Sequence, residues 1–186
     1  MPNKKNTPDT LDTLLLNKLK TLYDVEIQLV KALPKMVKKS TDAGLKEGFE
    51  DHLRQTENHV DRLDRAFKVL GVKPQKLQSE AIRGLIADAE WVIKNVHGEE
   101  ALDANLIAAA QYVEHYEIAG YGAAFAWAQL LGRTEIAELL EQTLHEEEET
   151  ADALNDLAAG KINEAALGES EGEEQEEDDE EDGDEK

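Results

Sequence analysis

Apolar residues recur along this chain at spacings of three and four, the period of a helix with one buried face. The first run carries Leu15, Leu19, Leu22, Glu26, Leu29, Leu33 and Met36. It predicts a long helix opened by Asp9 or Thr10, with Asp12 favourable in its first turn. Pro34 lacks a backbone donor, yet the stripe passes through it, which predicts a kink rather than a stop. Asp42-Ala43-Gly44 marks a break. A second helix over about 45–70 presents Phe49, Leu53, Thr56, Val60, Leu63 and Phe67, with His52 and His59 bordering that stripe. Gly71-Val72-Lys73-Pro74 ends it. Ser79 caps a shorter helix over about 80–96, which closes at His97-Gly98. A third long helix covers about 99–131 and stops at Gly132. Thr134 caps a fourth, over about 135–159, whose stripe reads Ile136, Leu140, Thr143, Glu147, Thr150, Leu154 and Leu157.

Two long-helix hairpins joined by a connection that contains a short helix define an all-α, ferritin-like four-helix bundle with a short crossover helix. Residues 1–9 read as a flexible lead-in, 10–162 as the bundle and 163–186 as a disordered acidic tail. The charge distribution supports this division. Of the net −22, the stretch Glu169–Lys186 carries −12, from 13 acids and one base, leaving −10 for the body. No basic patch offers counterion release, so direct nucleic-acid binding is not expected. The absence of cysteine excludes disulfides and thiolate chemistry. The polar N-terminus does not read as a secretory signal, and no apolar run is long enough for a membrane span. A cytoplasmic protein is the expectation.

The chemistry lies where acids interrupt apolar stripes. Glu114 and Glu117, spaced i, i+3, share a helix face with Tyr121 and with Leu106, Ala110, Ala124 and Ala128. Glu26 and Glu147 occupy core positions of two further helices, and His59 borders the stripe of the remaining one. A buried carboxylate must find a proton, a cation or a metal. One such Glu is ordinarily an edge residue, but several on facing helices imply a shared cation. Carboxylates and imidazole at one height suit a dinuclear metal centre, iron first, with manganese or zinc as alternatives. The predicted ligands are Glu26, His59, Glu114, Glu117 and Glu147, with His52, Tyr121 and Thr150 close by. Glu146, Glu148 and Glu149 read as a solvated face, and no other cation is expected on the inner stripes. Hydrolase chemistry has no support: there is no G-x-S-x-G motif and no plausible triad.

The segments LYDVEIQLVKALPKM, HLRQTENHVDRL, ALDANLIAAAQYVEHYEIAGYG and HEEEETADALNDLA resemble the YciE/YciF family over roughly residues 11–159. That resemblance implies a ferritin-like bundle, a homodimer, a two-metal centre and a role in bacterial stress responses, without an assigned reaction. It also sets out departures from the usual Glu-x-x-His pairs of di-iron bundles. This chain has Thr56-x-x-His59, Glu147-x-x-Thr150 and Glu114-x-x-Glu117 at the corresponding places. Leu14, Leu16, Trp91 and Trp127 are candidates for the intersubunit surface. The competing reading is a non-catalytic interaction bundle whose acidic tail binds cationic partners or maintains solubility. Deleting the chain from Gly168 onward should leave the melting temperature nearly unchanged, because so acidic a segment has little apolar surface to bury. A calorimetric loss of many degrees would show that it packs.

Overall fold

The computed structural model describes residues 10–167 and is all-helical over them. The predicted lead-in and the Glu/Asp-rich end of the chain lie outside the described residues. Helix α1 spans Leu11–Lys39, α2 Ala43–Val69, α3 Glu80–Asn95, α4 Glu99–Leu130 and α5 Thr134–Leu157. Thr10 caps α1, and the helix continues through Pro34. Asp42 caps α2 through the Leu45 amide, so Ala43 and Gly44 begin that helix rather than break the chain. Gly71 and Gly132, at φ 69° and 66°, follow α2 and α4 in the left-handed conformation that glycine adopts without a Cβ clash. The fourth long helix has Arg133 at its cap position without a side-chain bond, and Thr134 is its first helical residue.

The four long helices pack in a ring, α1 against α2, α2 against α5, α5 against α4 and α4 against α1, while α3 lies outside against α1 and α4. Two apolar clusters fill the ring. One gathers Leu33, Met36, Leu45, Phe49, Leu106 and Leu154; the other gathers Leu15, Leu19, Leu63, Phe67, Ala128 and Ile136. Each helix supplies opposite ends to the two clusters, which makes every neighbour in the ring antiparallel. The link from α2 to α4 therefore runs the length of the bundle, and α3 is the helical part of that link.

Buried acids fasten two of the three connections between long helices. Asp103 of α4 accepts from the Thr41 amide at 3.0 Å, the Thr41 hydroxyl at 2.6 Å and the Asp42 amide at 2.7 Å, holding the α1–α2 turn. Asp24 accepts from the Ser79 amide at 3.0 Å, and the Ser79 hydroxyl bonds the Tyr116 hydroxyl at 2.9 Å, pinning the crossover on α1 and α4. The helical chain also runs beyond the predicted bundle limit at residue 162. A π-helical turn, Ala158–Ile162, leads into a short α6, Asn163–Ala165. Ile162 is buried and Lys161 pairs with Asp42 at 2.6 Å, which anchors the last residues of the predicted bundle, and α6, at the start of the expected tail, packs against α4.

Asp103→Ala should destabilise the protein by about 3 kcal/mol, since it strands two backbone donors beside a buried site. Chemical denaturation of the two proteins measures this, and an unchanged midpoint would mean that water replaces the carboxylate without cost.

Candidate metal centre

Between the two apolar clusters lies a polar layer. Glu26 on α1, His52 and His59 on α2, Glu114 and Glu117 on α4 and Glu147 on α5 are each at most 3% exposed. Helical phase explains the convergence: each acid takes the place of an apolar residue in an inward stripe. Gly120 helps α1 and α4 approach, since a Cβ there would meet Leu22 Cδ2 at 3.0 Å. One residue further along, the Tyr121 hydroxyl donates to Glu26 Oε1.

The donors form two groups that share Glu147. His52, Glu114, Glu117 and Glu147 offer one atom each within 4.8 Å of one another, and so do Glu26, His59 and Glu147. Ligands of a common ion at about 2.1 Å are at most about 4.2 Å apart, so these groups would have to draw inward to coordinate one. Their lone pairs are free. Glu26 Oε2, Glu114 Oε2, both oxygens of Glu117, both of Glu147 and His59 Nδ1 are buried without a hydrogen-bond partner. His59 Nδ1 stands 3.0 Å from Glu147 Oε1 and 3.6 Å from Glu26 Oε2, close but out of line for hydrogen bonds. Unpartnered oxygens in a dry interior are costly, and a cation is the partner that four carboxylates have in common. The residues present fit a metal.

All five ligands predicted from sequence are brought together. Two expectations are corrected. His52 does not border the inner face but lies on it, two turns from His59 with Thr56 between them, and belongs to a donor group in its own right. Glu146 is not part of a solvated face. Its carboxylate takes two bonds from Arg62, each 2.6 Å, and meets His59 Nε2 at 2.9 Å. Arg62 is thus a half-buried cation at the edge of the inner stripe, which the sequence reading did not anticipate. The signal was present in the i, i+3 spacing of His59 and Arg62. Thr150 stands beside His52 Nδ1 at 3.4 Å, while its hydroxyl also bonds the Glu146 carbonyl.

Without a cation, the layer balances itself with protons. Burial, reinforced by Glu147, holds the carboxyls of Glu114 and Glu117 well above the usual range. Burial also raises Glu26, against the lowering influence of His59. For His59 burial works downward, but the closely placed carboxylates of Glu147 and Glu26 more than offset it and push the imidazolium up to about 11. His52 is lowered, chiefly by burial. Glu146 is lowered because Arg62 and His59 overcome its partial burial.

These directions fix a sign. Above the unfolded glutamate value of 4.5, folded Glu114 and Glu117 hold protons that the unfolded chain has released. Above 6.5, folded His59 does the same. In both cases stability falls as pH rises, while His52 acts in the opposite direction only below 6.5. Metal-free protein should therefore melt lower at about pH 8 than at about pH 6.5, measured by scanning calorimetry in chelator. A rising melting temperature over that interval would mean that the folded layer is already ionised.

Comparison with known proteins places this architecture. Residues 10–167 match the family model described as a domain of unknown function, DUF892. Protein YciF of Escherichia coli (strain K12) is 37% identical over 158 residues, covering 84% of this chain and 95% of that protein. The crystal structure of the E. coli stress protein YciF superposes with a TM-score of 0.80 at 37% identity, over 83% of this chain and 98% of that one. YcfI from Rhodopseudomonas palustris gives a TM-score of 0.79 at 40% identity, over 82% of this chain and 98% of that one.

Proposed function

The chain belongs to the DUF892 family, and from that premise we propose that it is a ferritin-like four-helix-bundle protein holding a dinuclear metal centre. Glu26, His52, His59, Glu114, Glu117 and Glu147 are its ligands in this reading. Iron is the first candidate, with manganese or zinc as alternatives, because the donors are carboxylate and imidazole. The observation that carries the proposal is the pair of buried donor groups joined at Glu147, whose carboxylate oxygens have no protein partner. An interaction bundle alone gives no reason to bury four such acids.

Each residue has a distinct task. Glu147 belongs to both groups, so its carboxylate would serve both ions. His59 turns Nδ1 inward because Glu146, clamped by Arg62, holds its Nε2 side. Tyr121 keeps a proton against Glu26 Oε1, its hydroxyl held well above the usual range by burial and the surrounding acids. Bound iron or manganese would supply electron-transfer chemistry toward dioxygen or peroxide. We place this activity in a stress response, by analogy with the stress protein YciF, and assign it to a cytoplasmic homodimer as part of the same proposal. No described helix is long and apolar enough to cross a membrane.

Size-exclusion chromatography with light scattering and elemental analysis of the same peak should return a dimer with roughly two ions per chain. Glu114→Ala should lower metal content and melting temperature together, since bound metal stabilises only the folded state. In metal-free protein the same change should be neutral or stabilising, because it removes a buried carboxyl that burial disfavours and that lacks a partner for Oε2. The exposed control Glu148→Ala should do neither. Wild-type protein that takes up no iron, manganese or zinc would refute the metal reading.

A further inference from the structure

His52 is reached from two sides of very different chemistry. On one side, between α2 and α5, a groove is lined by Asp51, Gln55, Glu149 and Thr150. It is open and wider, about 260 Å³, and although Phe49, Leu154 and Leu157 also line it, Asp51 and Glu149 give a cation carboxylates to meet on the way in. On the other side, between α1, α3 and α4, a cavity of about 30 Å³ has almost wholly apolar walls, formed by Leu29, Met36, Ile86, Ala89, Ala110 and Val113. It ends on His52 and Glu114, and Lys35 and Glu90 pair across its outer rim. Glu114 Oε2, buried and without a hydrogen-bond partner, belongs to the residue that closes its inner end.

We infer that this apolar cavity admits dioxygen to the His52–Glu114 edge of the centre, while ions and polar molecules use the groove between α2 and α5. The inference rests on the metal reading given above. Size and lining both select the occupant. The space is far below the roughly 150 Å³ that holds a benzene ring, and an apolar void of this kind stays dry. A hydrated ion would lose its water there with nothing to replace it, and hydrogen peroxide would forfeit its hydrogen bonds. A small uncharged diatomic molecule suffers neither penalty. The small side chains of Ala89 and Ala110 leave room that a larger residue on either helix would fill.

Xenon tests the cavity independently of any metal. Crystals of metal-free protein pressurised with xenon should hold it between Ala89 and Val113. Ala89→Leu, on the outer helix α3, should abolish that site while leaving the melting temperature and the iron bound per chain close to wild type. In iron-loaded protein the same variant should slow oxidation of ferrous ion by dissolved dioxygen several-fold and leave oxidation by hydrogen peroxide unchanged. If Ala89→Leu fails to fold, Ile86→Phe provides the same block from the same helix. Xenon absent from the wild-type cavity overturns the inference, as does a xenon-excluding variant that reacts with dioxygen at the wild-type rate. Equal slowing with dioxygen and peroxide would also overturn it, since that would trace the loss to the centre itself. Protein that binds xenon but no metal would refute the metal reading, and the use of the cavity with it.

Discussion

Four glutamates held out of water at mid-bundle are the constraint on which the rest of this structure depends. Ionised and alone, they would repel one another in a medium that screens poorly. The fold meets this by concentrating them in one layer with two imidazoles and sealing that layer between two apolar clusters. The clusters supply the favourable burial, roughly 25 cal/mol for each Å² of apolar surface, and the polar layer draws on it. Protons are the neutralising charge in the metal-free chain. A cation bound by the same oxygens would replace them.

Much of the remaining architecture keeps that layer in register. Asp103 and Asp24 sit at two of the connections rather than in the centre, Asp103 bonding two backbone amides of a distant segment and Asp24 one. Their bonds limit the sliding of one hairpin along the other, a motion that would separate the two donor groups. Arg62 and Glu146 act more locally, fixing which nitrogen of His59 faces inward. For a metal centre, the departures from the usual Glu-x-x-His pairs would be met within this arrangement. Glu117 supplies an extra acid from α4, and His52 supplies an imidazole one turn before Thr56.

Two unlike approaches to one histidine would give a metal centre there a means of sorting reactants. An ion would lose its hydration on the apolar side, whereas the wider groove on the other side has the carboxylates of Asp51 and Glu149 among its walls. The crossover helix α3 thereby gains a second role. It carries the chain from one end of the bundle to the other, and its Ala89 face forms the outer wall of the apolar cavity.

The sequence by itself determined the helices, their inward faces and the identity of the buried acids. Helical phase is a local property, and Glu26, Glu114, Glu117 and Glu147 each interrupt a stripe that can be read without reference to the other helices. It also determined where α2 and α4 stop, because Gly71 and Gly132 take a conformation that residues with a Cβ disfavour. Only the tertiary structure decided what stands opposite what. His52 reads as a border residue on α2 alone, and becomes a donor because α4 and α5 present carboxylates at its height. Glu146 reads as one more acid in a charged run, and becomes part of the site because Arg62 reaches it from the neighbouring helix. Partners separated by more than 80 residues leave no mark in a periodicity of three and four. Their meeting depends on the packing of α2 against α5, which no single stripe encodes.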